Sequence, residues 1–274
     1  MALSFGCNPS NVLPVAGTEL IIRMLPYLLS VPLVTDTLTY SDYQWAWQAA
    51  GLAVMETSDV ASTSAIPSHW SDRYCRVICN PNNPDGRRVT RHSLLNIETR
   101  DNAWLIVDEA YGELHPEDSL VQDVQDGHRV VLRSFGKFFG LPGIRLGAVV
   151  ANPSFIARLN ERLGYWHVST IALDIGIKAY RDQDWQSDHR IRLTNAARQM
   201  VEGLQSLDFE IRGHTALFFL LSHPDAQDLW HHLMHSGIYT RHFDQHPDLL
   251  RLGLPAKPED AQRLFDALRL YQNR

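Results

Sequence analysis

The sequence is poor in cysteine. Its 274 residues hold three, Cys7, Cys75 and Cys79, too few and too unevenly spaced for a disulfide framework, so a reducing compartment is expected. Cys75 and Cys79 fall in YCRVICN, which reads as a strand. Four residues along a strand span roughly 13 Å, too far to share one tetrahedral ion without a bend, and both are expected to be core thiols. No apolar run reaches the roughly twenty residues that a membrane span requires. The opening MALSFGCNPSN has neither a basic stretch nor a long enough apolar core for a secretory signal, and a cytoplasmic protein is the expectation. Basic runs are missing as well. With 25 Lys and Arg against 31 Asp and Glu the net charge is −6, which gives nucleic acid no footing.

What is present is the texture of an α/β protein, apolar stretches alternating with amphipathic ones. GTELIIRMLPYLL predicts a helix opening after Gly17, and SDYQWAWQAAGL a second, capped by Ser41 or Asp42 and stopped at Gly51. RVICN (76–80), AWLIVDE (103–109), RVVLRS (129–134) and LGAVVAN (146–152) read as strands. Their unbroken apolar character fits a parallel sheet covered on both faces. After Pro153 the chain is mostly helical to about Leu207. HTALFFLLSH (214–223) then reads as a strand, DAQDLWHHLMHSG as a helix closed by Gly237, and IYTRHF and LLRLGL as further strands. The last segment, KPEDAQRLFDALRLY, carries Pro258 near its first helical position and acids in its first turn. A boundary near residue 165 divides a large domain, 1–165, from a small one, 166–274. His231 and His235, four apart on one helix, could share an ion. No third ligand accompanies them, they read as solvated, and no metal is expected.

Four segments carry the chemistry. VAGTEL puts Gly17 and Thr18 at a helix start, where free N–H groups and the helix dipole suit a phosphate, although a plain helix start would look the same. NPNNPDGR forces a rigid turn after a strand, either a bland loop or a device that holds Asn83 over a ligand at the sheet's carboxyl edge. LIVDEAYGEL ends a buried strand in Asp108, with Tyr111 three residues on. A carboxylate there is expensive unless a cation pairs with it, and a protonated ring nitrogen would serve. RSFGKFFGLPGIRLG sets Lys137 among aromatic residues, the company of an amine meant to react, because an apolar site frees its lone pair. Ser134 and Arg145 bracket it and could hold a dianion. Together these supply an amine, a phosphate cradle and a carboxylate–phenol–amide group for a heteroaromatic ring, which describes a site for pyridoxal phosphate.

NPNNPDG, VDEAYGEL and SFGKFFGLPGIRLG resemble the signatures of the class I/II aminotransferase-fold enzymes that use pyridoxal phosphate. The resemblance implies a fold type I architecture, with a large domain built on a mostly parallel sheet flanked by helices and a smaller C-terminal α+β domain. It implies Lys137 as the Schiff-base lysine, Asp108 as the partner of the pyridine nitrogen, and Tyr111 and Asn83 as partners of the ring's 3-oxygen. Ser134, Arg145 and the amides of Gly17 and Thr18 would take the phosphate. Tyr40, in TLTYSDY, would stack on the ring, although Leu38 replaces the usual proline two residues before it. Arg251 in LLRLGLP matches the family's substrate-anion arginine. Arg241, ten residues earlier on the neighbouring strand, is expected to join it on a substrate with two anionic groups or one doubly charged group.

The wording VVLRSFGKFFGLPGIRLG, LGYWHVST, DWQSDHR and LLRLGLP is similar to one branch, the threonine-phosphate decarboxylases of cobalamin biosynthesis. That resemblance implies decarboxylation of L-threonine O-3-phosphate, a small phosphorylated amino acid, by a homodimer. The alternatives are an aminotransferase of the histidinol-phosphate kind and a non-catalytic cofactor-binding remnant. The family carries several dozen residues before the helix at VAGTEL, whereas Met1 lies sixteen residues before Gly17. An N-terminal arm that helps bind substrate is therefore expected to be missing.

Overall fold

The computed structural model describes residues 1–58, 66–70, 73–97, 103–125 and 127–273. The chain divides into two compact units, one of Met1–Asn83 with Arg88–Gln183 and one of Pro84–Arg87 with Asp184–Arg274. In the first unit the strands are β1 (Val12–Val15), β2 (Leu33–Asp36), β3 (Val54–Thr57), β4 (Cys75–Cys79), β5 (Trp104–Glu109), β6 (Arg129–Ser134) and β7 (Gly147–Ala151). Its helices are α1 (Ala2–Phe5), α2 (Thr18–Leu29), α3 (Asp42–Ala49), α4 (Arg91–Leu95), α5 (Phe135–Phe138), α6 (Pro153–Leu163) and α7 (Thr170–Arg181). The seven strands form one sheet in the order β1-β7-β6-β5-β4-β2-β3.

The sheet is parallel from β3 through β2, β4 and β5 to β6, and antiparallel at β7 and β1. The apolar run of LGAVVAN therefore predicts a buried strand correctly and its direction wrongly, because such a run reports burial on both faces and not orientation. β4 and β7 are buried at every residue. β1 carries Pro14, which cannot donate to a ladder, and it lies at the sheet's edge where that costs least. On one face α2 and α3 bury Ile21, Ile22, Leu25, Tyr43 and Trp47 against Cys75, Val77, Ile106 and Leu132. Each such aliphatic side chain contributes about 1.5–3 kcal/mol on leaving water.

The division at Gln183 falls beyond the expected boundary near 165, because α6 and α7 pack with the large sheet. Phe155, Ile156 and Leu159 of α6 join its core. Tyr180 of α7 meets Phe5, Phe135 and Phe139 at ring distances of 5.2, 5.8 and 5.0 Å. The second unit contains α8 (Gln183–Gln205, from its second residue on), β8 (Glu210–His214), β9 (Phe218–Ser222), α9 (Ala226–His235), β10 (Arg241–His242), β11 (Leu249–Gly253) and α10 (Pro258–Gln272). Its sheet is antiparallel, in the order β10-β11-β9-β8. HTALFFLLSH thus holds the last residue of β8, a turn and the whole of β9. Thr215 stops the run, taking the Leu217 N–H on its hydroxyl while its own N–H donates to the Phe218 carbonyl. IYTRHF pairs only at Arg241 and His242. Among the described residues, no helix is long and apolar enough to cross a membrane.

Beneath the carboxyl edge of the first sheet lies a buried ion network. Arg133 on β6 donates to Glu109 Oε2 at 2.8 Å and lies 2.9 Å from Glu113 Oε1. Glu109 also accepts the Ser119 hydroxyl and the Leu120 N–H, at 2.6 and 2.8 Å. Burial works against the guanidinium's charge, but Glu113 and Glu109 outweigh it and raise the pKa above its ordinary value. Arg133→Met, which leaves both carboxylates buried without their cation, should cost about 3–5 kcal/mol in urea unfolding. A loss under about 1 kcal/mol would mean that the network carries no net stability.

Candidate active site

The residues singled out in the first unit surround one pocket. Gly17, Thr18, Tyr40, Asn83, Asp108, Tyr111, Ser134, Lys137 and Arg145 all line it, together with Glu19, Ile22, Cys79, Pro81, Ala110, Gly136 and Leu146. It opens at the carboxyl edge of the sheet, where β4, β5 and β6 end.

Asp108 comes from the end of β5 and is only 5% exposed. Its Oδ2 accepts the phenol of Tyr43 at 2.7 Å, and its Oδ1 accepts the Ala110 N–H at 3.0 Å. Burial raises its pKa, and the bonds from Tyr43 and Ala110 and the charge of Lys137 pull it back. Tyr111, also buried, places its ring 5.8 Å from Lys137 Nζ. Asn83 is held by the turn before it. The Asn80 amide donates to the Val89 carbonyl and accepts the Val89 N–H, at 2.8 and 2.9 Å. Asn82 donates to the Leu38 carbonyl and accepts the Thr39 hydroxyl. The same amide therefore ties the turn to the segment that carries Tyr40. Tyr40 donates to Asp42 at 2.6 Å, and burial and that carboxylate push its own pKa up.

Lys137 lies on the one-turn helix α5, and here the structure corrects the sequence argument. The aromatic neighbours that suggested a desolvated amine turn into the core. Phe135 stacks on Phe139 at 4.5 Å, and Phe138 meets Phe139 edge-on at 5.2 Å. Consecutive residues of a helix project from different sides, so apolar neighbours in sequence need not be neighbours in space. Lys137 itself is exposed within the pocket.

The phosphate cradle is a matter of backbone. Gly17 precedes α2 with φ +86°, and a Cβ there would sit 2.5 Å from Arg145 Nη2. Glycine thus leaves room for a guanidinium beside the free N–H groups of a twelve-residue helix, a donor set suited to a phosphate dianion. Arg145 is anchored to the Pro142 carbonyl at 3.2 Å, on backbone in the left-handed region. Gly17, Arg145, Asp108 and Lys137 fit a phosphorylated pyridine: anion donors at one end, an acceptor for a ring N–H at the other, and an amine within the pocket.

Arg241 and Arg251 belong to the second unit, where they face each other across β10 and β11. Sequence reasoning missed Tyr43, and also Glu19 and Cys79 as lining groups. Tyr43 follows Tyr40 by three residues and precedes Trp47 by four on a recognisable helix, a spacing that puts it on the buried side. Nothing in the residues said that a carboxylate waited there.

The family profile for "Aminotransferase class I and II" matches residues 5–268. A threonine-phosphate decarboxylase of Sinorhizobium sp. is 37% identical over 262 residues, which covers 93% of this chain and 76% of that protein. A histidinol-phosphate aminotransferase of Desulfitobacterium hafniense is 31% identical over 197 residues, 70% of this chain and 54% of that protein. Among solved structures, the histidinol-phosphate aminotransferase of Sinorhizobium meliloti in complex with pyridoxal-5'-phosphate superposes with a TM-score of 0.87 at 20% identity, covering 98% of this chain and 80% of that one.

Two outcomes are expected of the site. Gly17→Ala should weaken pyridoxal phosphate binding at least about tenfold, or ~1.4 kcal/mol, by forcing Arg145 aside; equal affinities in equilibrium dialysis would remove the cradle argument. Asp108 gives a pH dependence. Its folded pKa lies above the ordinary 3.8, so the folded state binds more protons than the unfolded one between those values. Stability of the cofactor-free protein contributed by this group is therefore lost as pH rises through that window. Asp108→Asn should flatten the slope in urea midpoints measured against pH, and an unchanged slope would refute the assignment.

Proposed function

The chain belongs to the aminotransferase class I and II family, and on that premise we propose that it decarboxylates L-threonine O-3-phosphate to (R)-1-aminopropan-2-ol O-phosphate with pyridoxal phosphate, as a homodimer in cobalamin biosynthesis. The observation that carries the cofactor is the convergence of Lys137, Asp108, Tyr111, Asn83, Ser134, Arg145 and Gly17 on one pocket. The choice of reaction is supported by the 37% identity to a threonine-phosphate decarboxylase over most of the chain.

In this reading Lys137 would bond the cofactor, Asp108 would hold the ring nitrogen, and Tyr111 and Asn83 would hold the ring's 3-oxygen. Ser134, Arg145 and the N–H groups of Gly17 and Thr18 hold the phosphate. Tyr40 covers the ring. Pyridoxal phosphate supplies, when bound, a ring that accepts the electron pair of the bond broken at the substrate's Cα. Asp108 keeps a proton on the ring nitrogen by staying ionised. Lys137, which lines the pocket, would be the group that returns a proton to Cα. The family resemblance assigns the substrate's anionic groups to Arg241 and Arg251.

An aminotransferase of the histidinol-phosphate kind is the second reading, favoured by the 31% identity to such an enzyme. It uses the same residues and differs in which Cα bond is broken. Proton NMR of the protein with pyridoxal phosphate and L-threonine O-3-phosphate, without a keto acid, separates the two. Aminopropanol phosphate is expected, and it should be lost in Lys137→Ala. Turnover that needs 2-oxoglutarate would establish the aminotransferase instead. Unchanged substrate under both conditions would leave a cofactor-binding remnant.

A further inference from the structure

Asp108 has two carboxylate oxygens, and the protein occupies each with one donor: the Ala110 N–H on Oδ1 and the Tyr43 phenol on Oδ2. A carboxylate offers about four lone-pair directions. The protein's two donors leave the others to the pocket that Asp108 lines.

Tyr43 is not a wall of that pocket. It is 0% exposed, behind the carboxylate, in the core layer with Ile22, Trp47 and Val77. A buried phenol needs a partner, and Asp108 is the one it uses. The division of labour on this segment is sharp. Tyr40 donates to Asp42, and Tyr43, one turn on, donates to Asp108. The two rings meet edge-on at 6.4 Å. The helix is fixed in turn by Trp47, whose indole N–H donates to the Val31 carbonyl at 2.9 Å. The phenol thus comes from a rigid element and not from a loop.

We propose that Tyr43 is a positioning residue of the active site: its phenol, by donating to Asp108 Oδ2, sets the rotation of that carboxylate and leaves its open lone pairs facing the pocket, where a ring N–H would be held. The ring N–H belongs to the cofactor reading above; the hydrogen bond itself does not depend on it.

The charges around Asp108 agree with this role. The groups that face it are Tyr43 and Tyr40 from the α3 segment, Cys79 at the end of β4, the Ala110 N–H and Lys137 of α5. Burial favours the protonated acid, and Tyr43, Ala110 and Lys137 oppose it. Lys137 is also the group that bonds the cofactor and moves a proton, so its charge changes during a turnover. The phenol and the backbone N–H are the two donors whose contribution is constant. Of these, only the phenol belongs to a side chain and can be removed.

The test uses the cofactor-free protein. The carboxylic acid stretch of Asp108, identified by its disappearance in Asp108→Asn, is followed by infrared difference spectroscopy against pH. Tyr43→Phe should raise the midpoint by about one to two pH units, the usual strength of a hydrogen bond to a charged group. Tyr43→3-fluorotyrosine, a more acidic donor in the same place, should lower it. A merely structural role for Tyr43 would move neither. An unchanged midpoint in both folded variants overturns the proposal, and should Tyr43→Phe fail to fold, the fluorotyrosine variant decides alone. A moved midpoint in a protein that does not bind pyridoxal phosphate would uphold the positioning role and overturn the cofactor reading.

Discussion

Two successive carboxylates end the central strand, and the rest of the site depends on how they are separated. Side chains alternate along a strand, so Asp108 and Glu109 leave β5 on opposite sides. Each is buried and each has to be compensated there. Glu109 takes Arg133, its direct neighbour in the β5–β6 register, with Ser119 and the Leu120 N–H. Asp108 takes a phenol and one N–H. The first arrangement is charge-neutralised from within the protein. The second is held by neutral donors, with the charge of Lys137 acting on it from the pocket, and burial raises the pKa of both acids. A strand of ordinary apolar residues thus ends in one acid paired with an arginine inside the protein and one acid that lines the pocket.

The sheet's mixed direction is what gathers the remaining groups. β4, β5 and β6 run in parallel, so Asn83, Asp108 and Lys137 follow their carboxyl ends at one edge. Arg145 and Gly17 would lie elsewhere in a wholly parallel sheet. Because β7 runs antiparallel to β6, its first residue, Gly147, pairs with Ser134, and Arg145 reaches the same edge from the opposite direction. Because β1 runs antiparallel to β7, its last residue, Val15, also pairs with Gly147, and the chain enters α2 through Gly17 at that point. The two antiparallel strands bring Gly17, Ser134 and Arg145, far apart in sequence, to one pocket.

This explains which features were legible in the sequence. The long helices, the apolar strands β4 to β7 and the four motifs were visible, because each is a local pattern: a period, a cap, or a cluster of turn residues. The nine pocket residues could be named because their motifs resemble a known family; spacing alone would have left Gly17 a plain helix start and NPNNPDGR a plain loop. The short strands β1, β2 and β3 have four residues each and too little pattern to stand out. The direction of β7 and the partner of Tyr43 are properties of register and packing, and no local pattern encodes them. The surroundings of Lys137 were misread for a related reason. Phe135, Phe138 and Phe139 are adjacent to it along the chain, and the short helix turns them into the core while the amine faces the pocket.

The second unit presents a charge problem of the opposite sign. Arg241 and Arg251 are directly paired across β10 and β11, and like charges in that position are destabilising. Each guanidinium lies over an aromatic ring, Arg241 over Phe243 at 5.9 Å and Arg251 over Phe218 at 5.3 Å. A ring face relieves part of the repulsion. Two fixed guanidinia on one face of a sheet suit either one doubly charged anion or two singly charged ones, because each presents a planar fork of donors.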